Sequence, residues 1–250
     1  MNNFDSNRLI DYGRLMKLYT AWYCPFAQRA WMTLVHKNIN FDYIEVDPYD
    51  KTEYWLAISR GAAMVPVVIQ TNEDGTETTI VESNRVVEYL EDLKPQPPVF
   101  SSQPNQKAEQ KYWMDYIGNN IVPYFYRFLK AVDADQKQAQ SRDNMLEGIA
   151  TITEAMDEKG PFFNGAELSA VDIAFFPFAF RIETLLGEYR SFHLPTEGSS
   201  WQRYHQWYNA VLNHPSFKTT GTDNDDYANR LIEHYRHYSL GGGQKDLTAD

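Results

Sequence analysis

The chain has 250 residues and a net charge of −11, from 23 Lys and Arg against 34 Asp and Glu. Such an acidic surface repels phosphate backbones and anionic lipid, which excludes nucleic-acid and polybasic membrane binding as first readings. Apolar residues make up 43% and aromatic residues 15%, enough to build a packed core and to argue against disorder.

No run approaches the roughly 18 apolar residues that span a bilayer. Met1–Gly13 is polar and lacks the apolar stretch of a signal peptide. A single cysteine cannot make an internal disulfide, so a reducing, cytoplasmic compartment is expected.

The first strand is expected over Leu15–Ala21. Pro25–Lys37 reads as a helix, with Phe26, Ala30 and Leu34 at steps of four and Asn38 as its stop. Phe41–Val46 alternates with period two and reads as a second strand, and Trp55–Ser59 as a short helix. A third strand is expected over Val65–Thr71, a hairpin turn at Asp74-Gly75, and a fourth strand over Thr78–Glu82. Ser83–Leu93 reads as a helix capped by Ser83, with Val86, Val87, Leu90 and Leu93 on one face. A βαβ unit, a short helix and then ββα describe one sheet with helices on its faces. That is a thioredoxin-like order over residues 13–94.

Lys94–Pro104 carries four prolines and two serines, so residues 95–104 read as a linker. Beyond it only helices are expected: Lys107–Val132, Asp143–Lys159, Val171–Leu186, Trp201–Leu212 and Asp226–Tyr238. They make an all-α domain over 105–238, followed by a polar tail over 239–250. Pro123 should kink the first of these helices. Ser169 and Asp172 are spaced as a capping box.

Cys24 falls at the end of the first strand, just before Pro25. Proline favours the first helical position, which places Cys24 at the N-cap. Free N–H groups and the positive dipole end there favour a thiolate and should lower the thiol pKa. The alternative is a small buried filler. No second cysteine exists to resolve a mixed disulfide, so an external thiol must do so, with glutathione the obvious candidate. Val65-Pro66 would, with a cis bond beside the cysteine, offer backbone to a peptide-like ligand; a plain edge proline is the other reading. Glu82 and Ser83 could hold an ammonium and a carboxylate, or merely cap the helix. Together these loops suit a thiol tripeptide. His234 and His237 lie one turn apart without a Cys or acidic cluster, so no metal site is expected and they read as a solvated helix face.

"CPFAQR" (Cys24–Arg29), "VPVV", "VES" and "LSAVDIAFFPF" together resemble cytosolic glutathione transferases of the cysteine type, the omega class and its lambda and fungal omega-like relatives. The resemblance covers nearly the whole chain. It implies the glutathione transferase fold, with glutathione as co-substrate. It implies Cys24 as the catalytic cysteine, Phe26 beside the bound thiol, and Val65 and Pro66 at the tripeptide backbone. Glu82 and Ser83 would take the γ-glutamyl group. Lys51, next to the position that family spacing marks at Thr52, would meet the glycyl carboxylate. Ser169, Asp172 and Arg181 match structural positions of the family. An acceptor site for a hydrophobic or glutathionylated small molecule is expected between the domains, with Tyr116, Tyr124 and Phe128 as candidate lining residues.

The leading expectation is a thiol transferase or reductase that works through a glutathione mixed disulfide. Its reactions would be deglutathionylation, dehydroascorbate reduction and glutathionyl-ketone cleavage. A non-enzymatic binding or carrier protein on the same scaffold, and a glutathionyl-hydroquinone reductase, are the alternatives. Family members include homodimers and monomers, and both remain open on sequence.

Overall fold

A computed structural model describes residues 16–132, 136–224 and 226–243. The expected domain start at 13–15 and the tail beyond 243 lie outside the described residues.

Four strands form one sheet: β1 Met16–Thr20, β2 Asp42–Glu45, β3 Val67–Thr71 and β4 Glu77–Val81, in the order β2-β1-β3-β4. β1 and β2 run parallel, with Lys17 opposite Asp42 and Thr20 opposite Glu45. β1–β3 and β3–β4 are antiparallel. The parallel pair requires a crossover, and α1 (Pro25–His36) supplies it. Alternation in β1 sends Met16 and Leu18 to one face and Tyr19 to the other. Met16 and Leu18 pack with Ala30 and Leu34 of α1 and with Val86 and Leu90 of α3 (Ser83–Leu93). Tyr19 packs with Trp55 of α2 (Glu53–Ile58).

Helix α1 ends as expected: Asn38 takes a left-handed φ of 48° just past the Lys37 cap. The buried Lys37 ammonium meets Glu91 at 2.6 Å and donates to the Lys94 and Pro97 carbonyls, each at 2.9 Å. Glu91 in turn accepts from the N–H groups of Val99 and Phe100. The proline-rich linker is therefore pinned to the sheet domain.

Eight helices follow: α4 Pro104–Asn120, α5 Val122–Lys130, α6 Gln136–Glu154, α7 Ala170–Arg181, α8 Gly187–Arg190, α9 Ser199–Leu212, α10 Pro215–Thr220 and α11 Tyr227–Ser239. The single kinked helix expected over Lys107–Val132 is two helices. Pro123, near the start of α5, has no N–H to continue the ladder, and the chain breaks at Ile121. The helix expected to run to Leu186 leaves α geometry at Arg181 and passes through a π-helical turn, Ile182–Leu186, before α8. The short helices α8 and α10 have no sequence-predicted counterpart. Every residue of α7 is buried, which makes it the axis of the helical domain. Around it pack Phe125, Ile149, Trp207 and Phe217.

Asp172, fully buried in the first turn of α7, accepts four hydrogen bonds. They come from the Ser169 N–H and Oγ (2.7 Å each), the Phe163 N–H (2.8 Å) and Trp207 Nε1 (2.7 Å). The expected capping box is present and reaches further, tying the preceding loop and α9 to α7.

Gly148 marks the closest helix crossing. A Cβ there would stand 2.7 Å from the Asn120 carbonyl oxygen and 3.0 Å from an Ile121 side-chain carbon. Alanine would gain about 1 kcal/mol of helix propensity. A backbone oxygen cannot step aside cheaply, so overpacking of about 1–3 kcal/mol wins. Gly148→Ala is expected to lower the urea midpoint at unchanged slope.

Candidate active site

After β1 the chain turns at Ala21–Cys24, with the Cys24 N–H donating to the Ala21 carbonyl at 2.9 Å. Pro25 opens α1, where its missing N–H costs nothing, and Cys24 is the N-cap. Cys24 is half-buried and opens into a cleft of about 770 Å³. Phe26, Lys51, Val65, Pro66, Glu82 and Ser83 line the same cleft. Side chains from four separate stretches of the sheet domain thus meet around one sulfur.

The Val65–Pro66 peptide is cis. Lys51 lines the cleft, whereas the Thr52 hydroxyl caps α2 by accepting from the Trp55 N–H at 3.1 Å. Glu82, not Ser83, is the N-cap of α3, and it sits at a φ of 70°. A non-glycine residue in that region costs about 1–3 kcal/mol and persists only where its surroundings impose it. Ser83 is therefore the first helical residue, a correction of the expected cap. Its Oγ accepts from Arg29 Nη1 at 3.2 Å. With a lone pair so engaged, the Ser83 hydroxyl proton is free for an incoming anion.

A second, polar pocket of about 490 Å³ shares Phe26, Glu82 and Ser83 with the cleft. Arg29 and, across the domain junction, Lys111, Asp115 and Asn119 complete its lining.

The candidate acceptor residues are placed elsewhere. Phe128 is in the core, edge-on to Phe192 at 5.2 Å. Tyr124 lies under the Arg127 guanidinium at 5.2 Å, and Tyr116 packs on Trp113 at 5.2 Å. None of the three lines the cleft at Cys24. The break at Ile121 resets the phase of α5, and Tyr126 is the α5 ring coupled to the sulfur. Tyr23 and Tyr49 line the cleft instead.

Two family models match the chain: the glutathione S-transferase N-terminal domain over residues 18–98 and the glutathione S-transferase C-terminal domain over residues 131–210. The chain belongs to the glutathione transferase family. Glutathione S-transferase DHAR3, chloroplastic, of Arabidopsis thaliana is 29% identical over 81% of this transferase and 70% of the relative. Mouse glutathione S-transferase omega-1 is 28% identical over 68% of each chain. The crystal structure of glutathione transferase Omega 3C from Trametes versicolor superposes with a TM-score of 0.73 at 31% identity, covering 88% of this transferase and 90% of that chain.

The helical domain of the transferase completes the sulfur's surroundings. Arg181 of α7 donates to the Tyr23 carbonyl at 2.8 Å, one residue before Cys24. Tyr235 of α11 donates to the same carbonyl at 3.2 Å. His234, expected on a solvated face, stacks on the Tyr23 ring at 3.7 Å. Burial among these rings lowers the His234 pKa to about 4, so it is neutral at pH 7. Arg29 donates twice to the Ala174 carbonyl, at 2.9 and 2.7 Å, and lies 5.1 and 5.0 Å from the Phe26 and Phe178 ring centres.

The expected lowering of the Cys24 pKa is not what the ligand-free site produces. Burial pushes the thiol up, because the surrounding rings remove water from the sulfur. The Ala27 amide, Arg181, the Phe26 amide and Arg29 all pull it down without cancelling that effect. The sulfur makes no formed capping hydrogen bond, which leaves the helix end only part of its effect. Tyr23, Tyr126, Arg29, Arg181 and Tyr235 carry no local sequence signal for this site. Tyr23 and Arg29 flank the cysteine in the chain, whereas the other three reach it through the fold alone.

Among the described residues, no helix is long and apolar enough to cross a membrane.

Proposed function

We propose that this transferase is a glutathione-dependent thiol transferase whose nucleophile is Cys24. One observation carries the reading: the chain's only cysteine heads α1 and opens into the cleft that Lys51, Val65, Glu82 and Ser83 also line. That set suits glutathione. Its cysteinyl backbone would lie along Val65, its γ-glutamyl group at Glu82 and Ser83, and its glycyl carboxylate near Lys51.

In deglutathionylation, the Cys24 thiolate attacks the glutathione sulfur of a mixed disulfide. A Cys24–glutathione disulfide forms, the acceptor's S–S bond breaks, and the acceptor leaves as a thiolate that takes a proton. A second glutathione thiolate then attacks the Cys24–glutathione bond, releasing oxidised glutathione and the Cys24 thiolate. Dehydroascorbate reduction and glutathionyl-ketone cleavage use the same intermediate. A reducing compartment such as the cytoplasm would supply the second glutathione.

Incubation with oxidised glutathione followed by intact-mass measurement tests the reading. One glutathione is expected to add, at Cys24, and to leave when reduced glutathione is supplied. An unchanged mass would overturn it.

A further inference from the structure

Arg181 is fully buried, yet among the described residues it has no carboxylate partner. Its hydrogen bonds go to neutral groups: the Gln28 Oε1 at 2.9 Å, the Pro177 carbonyl at 2.6 Å, the Tyr23 carbonyl at 2.8 Å and the Tyr227 hydroxyl at 3.2 Å. Its Nε is buried without any acceptor. A guanidinium does not lose its proton in a protein. An uncompensated buried cation is costly, and structures keep one where an anion is to be held.

The anion is identified by what surrounds the charge. Phenols Tyr126, Tyr227 and Tyr235 lie close to it, along with the Cys24 thiol. Burial pushes Tyr235 up to about 12 and Tyr126 well above the ordinary phenol value, so both stay neutral at physiological pH. The thiol is the one neighbour that ionises near neutrality and is regenerated as an anion in each turnover. Arg181 also grips the carbonyl directly before the cysteine, which fixes where the sulfur stands relative to the charge.

We propose that Arg181 is a positioning residue that serves as the counter-charge of the Cys24 thiolate, so that α7 of the helical domain sets the reactivity of a cysteine in the sheet domain. This rests on the reading of Cys24 as the nucleophile. The free energy that holds the buried guanidinium is matched only when the sulfur is ionised. The same charge favours departure of Cys24 as a thiolate when the mixed disulfide is resolved.

The other groups facing the sulfur are Tyr23 from its own loop, Arg29 from α1, Tyr126 from α5, and Tyr235 and Tyr238 from α11. Lys51 and Glu82 face it across the cleft, while His234 and Asp47 act on Arg181 and Tyr23 from behind. Arg29 is a second buried guanidinium, but its fork is committed to Ala174, Ser83 and Asn84.

The test is the pH dependence of Cys24 alkylation by iodoacetamide in the full chain, which reads one thiol because there is only one. Arg181→Met and Arg181→Gln are compared with Arg181→Lys and the wild type, with circular dichroism confirming the fold. Loss of the charge is expected to raise the midpoint by about one pH unit or more, a tenfold or greater loss of thiolate at neutral pH. Lysine is expected to hold the midpoint within about half a unit. A folded neutral variant whose midpoint rises by less than one unit would overturn the proposal. Should neither neutral variant fold, lysine decides: a rise beyond half a unit overturns it, and a smaller one supports it. This readout needs no turnover. A wild type that takes no glutathione would sink the nucleophile reading alone, whereas a glutathionylated wild type with an unmoved midpoint in the variants would sink only the role of Arg181.

Discussion

Replacing Cys24 with serine is expected to lower glutathione-dependent reduction of a mixed-disulfide substrate by a factor on the order of 10³ or more. The variant has no sulfur left anywhere to form the glutathione adduct, since Cys24 is the chain's only cysteine. Serine is nearly isosteric and suits an N-cap, so the fold and the glutathione cleft should survive. Conjugation of glutathione to an aryl halide is expected to be weak in the wild type. It should not fall in the variant, because that chemistry uses the tripeptide's own thiolate. The pair of assays separates a lost nucleophile from a lost binding site. Retained thiol transfer in the serine variant would refute the mechanism. The wild-type rate also carries a pH signature. Burial raises the thiol pKa, so the thiolate is the minor form at neutral pH. Below that pKa the thiolate fraction grows about tenfold per unit, so the rate should climb with pH through the neutral range rather than plateau. A flat profile from pH 6 to 8 would mean that bound glutathione overrides the desolvation of the sulfur.

The second large effect is structural. Asp172→Ala is expected to destabilise the transferase by about 3–5 kcal/mol, as loss of a fully hydrogen-bonded buried group does. Four donors lose their acceptor at once: the Phe163 N–H, the Ser169 N–H and hydroxyl, and the Trp207 indole. None has water nearby to replace it, because Asp172, Trp207 and Ser169 are all buried. For a chain of this size the melting temperature should fall by roughly 10 °C or more. Asparagine has a single acceptor oxygen, and its amide would face donors, so it is expected to recover only part of the loss. Thermal melts of both variants, followed by Trp fluorescence and circular dichroism, check this. A melting temperature within about 2 °C of wild type would show that the network contributes little.

Several parts of the molecule are legible from local pattern. The period-two runs that become β1 to β4, the Asn38 stop, the Ser169–Asp172 box and the helical faces of α3 and α9 all depend on neighbours within a few residues. The Cys24-Pro25 junction belongs with them, because proline at the first helical position and the residue before it are a local constraint. The break at Ile121 was half legible. Pro123 announces a disturbance, but whether a helix bends or splits depends on what packs against it. That difference moved the acceptor candidates: a continuous helix would align Tyr116, Tyr124 and Phe128, whereas the restarted α5 buries Phe128 and brings Tyr126 to the sulfur.

By itself the sequence determined the order of strands and helices, the two-domain division, the family, and the single cysteine at a helix start. These follow from short-range periodicity, turn chemistry and residue counts, which need no knowledge of distant contacts. Only the tertiary structure decided the charge environment of that cysteine. Arg181 reaches the Tyr23 carbonyl across 158 positions of chain, and Tyr235 reaches it across 212. Burial by such remote groups reverses the shift that a bare helix end would produce. Desolvation and Coulomb attraction act through space, and no spacing along the chain encodes which side chains will share a dry pocket.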